Sequence, residues 1–483
     1  MQMPRQTRVG ARLLVVVGLL LVASRPAPAA PPVGWQFVVA MQDMERGVLD
    51  VTMTVQGLGG TVRLCQFMSD TEPELTAIRR VGSGAPIVFE QGCWNLPAAD
   101  PQGTTLTYKY DLKALGRRKG QPDFAESISS TYLFNDQAAL LHPSPLPRPA
   151  TIDVEFRLPA GVPLAAPWKR LPGPAETPRF RLDSDQHDGG GYIGIGSLLR
   201  EQEPVQAGKT VGRLFLVNLP FRAPPAAPRA WIAEALTASA KFYGELLSRE
   251  VLIYLVPVGG TDEAGVFGTV MRRGTPSVVL YFGADCLKLR MQDDWVATHE
   301  LFHTGNPTIE GRIPWLIEGF TTYYEDVLRA RAGALTEVAT WSNLYDGFRR
   351  FCQPEGGSSL SDESEHLFQT HRYTRLYWGG ACLAFIADAA IRTRTGGKRS
   401  LDDVMLRLRK QSLKEPMSEE EIVAVLDAET GNRLASRTLH ERRAIPLADW
   451  YRRFGIEATG PKSVKLTDSA PQAALRRAIM APR

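Results

Sequence analysis

THELFHTGNPTIEGRIPWLIEGFTTYYE, residues 298–325, decides how the rest of the chain is read. It holds His299 and His303 four positions apart, with Glu300 directly after the first histidine and Glu318 and Glu325 farther on. Just upstream, Asp293 and Asp294 suit a helix start, because acids cap free N–H groups and favour the positive end of the helix dipole. WVATHELFHT then reads as a helix that Gly305 and Pro307 stop. Positions i and i+4 share a helix face, so the two imidazoles stand side by side and can hold one metal ion. Glu300 sits about a hundred degrees round the axis, close to the metal without binding it. Val296, Leu301 and Phe302 turn the other faces to the core. A catalytic zinc takes three protein ligands and keeps one position open for water, so a third donor is predicted nearby. The second helix, PWLIEGFTTYYEDVLRAR with Pro314 in its first turn, supplies Glu318 for that role. Glu325, seven residues on and on the same face, is placed to hold a ligand histidine by its other ring nitrogen. One Zn2+ per chain is therefore the expected cofactor.

Outward from this stretch, the chain is long enough at 483 residues to divide into two to three domains. Its formal charge of +4 is small for that length and no basic run stands out, which argues against nucleic acid as a partner. The N-terminus carries Arg5, Arg8 and Arg12 with no acid, then the apolar run LLVVVGLLLVA over 13–23, then Ala27-Pro28-Ala29. That run is too short to span a bilayer and has the form of a signal-peptide core. Residues 1–29 are read as a leader cut after Ala29, with export to the periplasm or beyond and no stable membrane insertion afterwards. In an oxidising compartment disulfides persist. Cys65 and Cys93 could pair, as could Cys352 and Cys382, leaving Cys286 single; five free thiols remain the alternative, since spacing does not fix connectivity.

The first two hundred residues read as strands. Leu49, Val51, Met53 and Val55 alternate with polar residues, as do Leu106, Tyr108, Tyr110 and Leu112, and Ile152, Val154, Phe156 and Leu158. Period two with polar partners means sheets buried on one face. The expected fold is a multidomain α+β chain: a β-sandwich-like domain over 30–222, a thermolysin-like catalytic domain over 223–341, and an α-helical domain over 342–483. A helix is expected over 230–249, then strands in VLIYLVPV and SVVLYFG, and from about Ser342 helices to the end. Ser400 and Ser418 each precede an acid by three residues, the capping-box pattern.

The motif region resembles the glycyl aminopeptidase family of zinc peptidases, within the gluzincin group that includes aminopeptidase N. HELFHTGN followed by IEGFTTYYEDVLRARAG is similar to that family's HExxHT-W-N and EGFTxYY segments, and YWGGACLAFIADAAIRTRTGGKRSLDDVM over 377–405 to its Y-x-K-G and GGKRSLDDV runs. The likeness is sharp over 293–333 and 373–410 and loose elsewhere. It implies a peptide or protein substrate. It also implies that a water on zinc loses its proton to Glu300 and attacks the peptide carbonyl, while Tyr377 hydrogen-bonds the oxyanion. Several departures stand out. The spacer 304–317 is short, Gly305 stands where a tryptophan is usual, and Gly379 where a lysine is usual. Relatives place a substrate-amine-binding glutamate before the strand leading to the zinc helix; here no acid follows Glu263, and Val270, Met271, Arg272 and Arg273 fill the stretch. Arg272 or Arg273 is thus the candidate for holding an acidic or carboxylate-bearing substrate. No PDZ-like segment is recognised. Two alternatives compete with the peptidase: a catalytically silent scaffold on the same fold, and a zinc hydrolase of a non-peptide amide or epoxide.

Overall fold

The computed structural model describes residues 32–482 apart from 69–71, 83–85, 119–124, 353–356 and 443–444. The leader expected over 1–29 lies outside the described residues. The alternating runs form strands as their periodicity requires. Leu49, Val51 and Met53 of Val48–Gln56 lie opposite Tyr110, Tyr108 and Leu106 of Thr104–Asp111 in an antiparallel pair, and all six are buried. They belong to a seven-stranded sheet, and two four-stranded sheets complete the β-rich part. The Cys65–Cys93 disulfide ties two adjacent strands of one of these, Gly60–Cys65 and Cys93–Ala99.

A further sheet carries the motif helices. Strands β1 (Thr210–Val217), β2 (Glu250–Val258) and β4 (Ser277–Gly283) run parallel side by side, and β3 (Phe267–Met271) is an antiparallel edge strand on β4. Every residue of β4 is buried, as expected of a parallel strand covered on both faces. Helix α1 (Ala227–Tyr243) makes the crossover from β1 to β2. The boundary expected at 222/223 therefore falls inside a β-α-β unit, and the layer begins upstream with Leu199–Glu201, which pairs with β1. The helix expected to reach residue 249 ends instead at Gly244, whose φ of 72° breaks helical geometry.

Helices α2 (Val296–His303) and α3 (Pro314–Arg331) follow, and α4 (Tyr373–Thr395) crosses α3. At that crossing a Cβ on Gly319 would lie 2.4 Å from Gly380 Cα, so the two backbones meet with no side chain between them. The tyrosines of the motif lock α3 in place. The Tyr323 hydroxyl donates to Asp388 at 3.0 Å and that of Tyr324 to Asp402 at 2.9 Å. The capping boxes form, Ser400 with Asp403 and Ser418 with Glu421. The helical run is not unbroken: Ile456–Gly460 and Ser463–Leu466 make a hairpin, turned at Pro461-Lys462, with Ile456 and Val464 buried. One apolar core extends from Val205 to Met480, so the sheet and the helical part are packed as one body. Cys352 and Cys382 are joined, tying the end of helix Glu337–Phe351 to α4, and Cys286 is a buried free thiol. Both cysteine pairs form, and the alternative of five thiols is set aside. No helix among the described residues is long and apolar enough to cross a membrane.

Candidate metal centre

Asp294 starts α2: one carboxylate oxygen accepts from the Val296 amide at 2.8 Å, the other from Ala297 at 3.0 Å and from the Trp231 indole at 2.8 Å. Asp293 is turned aside, paired with Arg290. With Val296, Leu301 and Phe302 in the core, the remaining face presents His299 and His303 to α3. There the Glu318 carboxylate lies 3.2 Å from His299 Nε2 and 3.4 Å from His303 Nε2. One ligand atom from each of the three lies within 4.8 Å of the others. The short spacer thus still returns the chain: Pro307 ends the turn after α2 and Pro314 opens α3.

The ring nitrogens facing away are held. His299 Nδ1 lies 2.7 Å from Glu325 Oε2, the bond expected from the seven-residue spacing. For His303 the holders are residues that motif reading missed. The Thr321 hydroxyl oxygen, 3.4 Å from Nδ1, can accept from Nδ1–H, and the Asn306 side-chain amide, packed 3.1 Å from the same nitrogen, donates to that hydroxyl at 3.1 Å. Asn306 is itself fixed by the Tyr243 hydroxyl, which donates to its side-chain oxygen at 2.7 Å. Tyr243 also explains Gly305: a Cβ there would lie 2.2 Å from the Tyr243 ring, so the tyrosine from α1 fills the space next to the glycine. Gly379 sits against Arg375 and Leu360, where a larger side chain has no room without displacing them.

The cluster opens into a cleft of about 630 Å³. Glu300 lines it beneath the edge strand β3, at Gly268, where a Cβ would lie 2.4 Å from Glu300 Cγ. Neither β3 nor this close approach was foreseen from sequence. Tyr377, on α4, lines the same cleft and stacks on His299 with ring centroids 6.1 Å apart. The two candidate arginines separate. Arg273 pairs with Asp188 at 2.8 Å, away from the cleft, whereas Arg272 is half-buried in the cleft wall.

The electrostatics fit a divalent cation. Burial alone would lower the His299 pKa, but hydrogen bonds to Glu318 and Glu325 overcome it and hold that imidazole well above its ordinary value. Burial keeps His303 below its ordinary value. Against its own burial, Glu318 is held far below the usual carboxylate range by His303 and His299. Burial pushes Glu325 up to about 7. The site therefore keeps a positive charge between carboxylates, and a metal held by the two imidazoles and Glu318 would take the place of that proton. Two nitrogens and one carboxylate oxygen beside an open cleft are the donor set of a catalytic zinc.

Comparison with known proteins finds one family model and several solved structures similar to this chain. Residues 306–377, from just after α2 to Tyr377, match the family model of the M61 glycyl aminopeptidases. No curated protein matches the chain. Among solved structures, an aminopeptidase N family protein from Idiomarina loihiensis superposes with a TM-score of 0.73 at 16% identity, covering 87% of this chain and 78% of that one. An M1 zinc metallopeptidase from Deinococcus radiodurans gives 0.57 at 17% identity over 86% of this chain and 95% of that one. Yeast LTA4 hydrolase gives 0.55 at 13% identity over 86% and 68%. The chain thus resembles the zinc peptidases of the M61 and M1 kinds, in sequence over the motif region and in its mixed α+β fold.

Proposed function

We propose that the protein is an exported zinc-dependent metallopeptidase whose metal is held by His299, His303 and Glu318. The observation that carries this reading is the convergence of those three donors at the floor of a cleft that Glu300 and Tyr377 also line. Zinc in such a donor set supplies Lewis acidity, acidifying a water and polarising the scissile carbonyl. Glu300 is the general base: it accepts the proton as the water oxygen bonds to the carbonyl carbon, and returns it to the amine as the C–N bond breaks. Tyr377 donates a hydrogen bond to the carbonyl oxygen as that oxygen gains charge. Its burial, with Glu318 and Glu300 nearby, pushes its pKa far up, so the phenol keeps the proton it donates across any working pH. Glu325 accepts from His299 Nδ1 and leaves Nε2 for the metal. Gly268 leaves room for the Glu300 side chain under β3.

The test is zinc content by plasma mass spectrometry together with peptide cleavage. Wild type is expected to hold one zinc and to cleave. Glu300→Gln is expected to hold zinc and lose about 10²–10⁴-fold in kcat, and Glu318→Gln to lose the zinc. A wild type that binds no zinc, or cleavage untouched by Glu300→Gln, would overturn the proposal. Export is tested separately: the protein recovered from the periplasm or medium should begin at Ala30.

A further inference from the structure

We infer that Arg272 is a specificity-determining residue which anchors a carboxylate of the substrate beside the metal, making acidic peptides with no need of a free amino terminus the preferred substrate class. This rests on the peptidase reading and adds the substrate to it. The argument is a charge balance of the cleft. Among the residues lining it, the acids are Glu300 and Glu318 and the cations, histidines apart, are Arg272 and Arg312. Glu318 is committed to the histidine cluster, and Glu300 has its proton-transfer task. No lining carboxylate is left to receive a substrate ammonium. Arg312, at the exposed rim, lies with its guanidinium 4.6 Å from the centre of the Phe368 ring. Arg273 is spent on Asp188.

Arg272 differs from both. It follows the edge strand β3, whose first residues cover Glu300, so it stands in the wall close to the reacting centre. Among the described residues no hydrogen bond or ion pair holds its guanidinium, and its electrostatic neighbours are Glu318, the Tyr243 phenol, Arg273 and His303. Burial lowers its pKa, and the carboxylate that works against this, Glu318, is shared with His299 and His303. With Glu318 holding a metal, Arg272 would stand as a partly desolvated cation facing the cleft. A guanidinium binds carboxylate through two parallel N–H···O bonds, a geometry an ammonium ligand cannot offer. An approaching amino terminus is repelled there, whereas an Asp or Glu side chain completes the pair.

The experiment uses the zinc-loaded full chain and a library of N-acetylated peptides that differ by Asp or Glu against Asn or Gln at each position, with free-amine and Lys versions alongside. Cleavage products are read by mass spectrometry and kcat/KM is measured for the best pairs. The expected preference for acid over its amide isostere is roughly ten- to hundredfold, the worth of one charge-assisted hydrogen-bonded contact. That ratio should collapse toward one in Arg272→Gln, survive in part in Arg272→Lys, and invert toward Lys-containing or free-amine peptides in Arg272→Glu. Unchanged thermal midpoints certify that the variants fold. A ratio that Arg272→Gln does not change, or a wild type that demands a free amino terminus, overturns the inference. Should no peptide be cleaved, the peptidase reading fails by itself, and Arg272 is judged by binding. Fluorescent acidic and amide peptides are titrated into Glu300→Gln and into Glu300→Gln/Arg272→Glu. An acid preference lost in the double variant supports the role of Arg272; equal binding, or none, overturns it.

Discussion

Replacing Gly380 by alanine tests whether the crossing of α3 and α4 sets the catalytic geometry. An added Cβ would lie 2.2 Å from the Trp315 carbonyl oxygen and 2.7 Å from Gly319 Cα. Both are backbone atoms within α3, so no side chain can swing away. Ordinary carbon contacts begin near 3.4 Å, and the helices must part by roughly 1 Å, an overpacking that costs about 1–3 kcal/mol. Gly319 adjoins Glu318, and Tyr377 lies one helical turn before Gly380 on the same side of α4. The shift therefore moves the tyrosine away from the metal ligands by about the distance that costs roughly a hundredfold in rate. The expected outcome is a loss of about 10² in kcat at saturating zinc, a smaller change in KM, and urea unfolding displaced by 1–3 kcal/mol. Gly379→Ala is the control, because its Cβ meets Arg375 Nη1 and Leu360 Cδ1, the far ends of side chains that can move. A Gly380→Ala enzyme within threefold of wild type in kcat, or a Gly379→Ala enzyme equally impaired, would refute the reasoning.

Gly268→Ala, whose Cβ would stand 2.4 Å from Glu300 Cγ and 3.0 Å from its carboxyl carbon, should lower kcat by about ten- to a hundredfold while zinc content stays at one per chain. Tyr243→Phe frees Asn306, whose amide positions the Thr321 hydroxyl that accepts from His303 Nδ1, and so loosens His303; zinc affinity, measured by competition with a chelator, should weaken by about 10–100-fold. Away from the site, burial and the neighbouring His187 push His142 down to about 4, and it stacks on Phe67 at 3.7 Å. The folded form thus prefers the neutral ring. That stability is complete above the unfolded imidazole value of about 6.5 and is lost as pH falls from there through 4, amounting to at most about 3 kcal/mol. His142→Gln should remove this part of the acid sensitivity, read as the difference in urea unfolding free energy between pH 7.5 and pH 4.5; equal pH dependence in the two proteins would exclude it.

What the sequence made legible is what a single local period encodes. His299 and His303 are four apart, Glu318 and Glu325 seven apart, and each spacing fixes a helix face without knowledge of any other element. The strands over 48–56 and 104–111 were readable because alternate residues had to enter one core. The capping boxes at Ser400 and Ser418 were readable because the signal lies within four residues. Contacts between elements distant in sequence were not. The edge strand Phe267–Met271 has no fully buried residue and no alternation to betray it, yet it roofs Glu300. The hairpin over 456–466 is too short to impose a period. For Arg272 and Arg273, sequence offered two adjacent cations and no means to choose. The choice was made by Asp188, some eighty residues upstream, which claims one and not the other.

Gly305 shows why a departure from a motif does not by itself measure a departure from function. Beside HELFHT a glycine in place of a large aromatic reads as a hole next to the second histidine. In the fold there is no hole, because Tyr243 at the end of α1 occupies it and lies against Phe302 at 4.9 Å between ring centroids. The same tyrosine reaches Asn306 and, through it, the Thr321 hydroxyl that faces His303 Nδ1. Arg409 closes the arrangement from behind, its guanidinium 5.2 Å from the Tyr243 ring centre and donating to the Tyr243 carbonyl. Volume removed from the motif is returned by a side chain sixty residues away, which brings a hydroxyl as well as a ring. The histidine is therefore braced by a residue that no local pattern could name, and the glycine is better read as the imprint of that neighbour than as a loss.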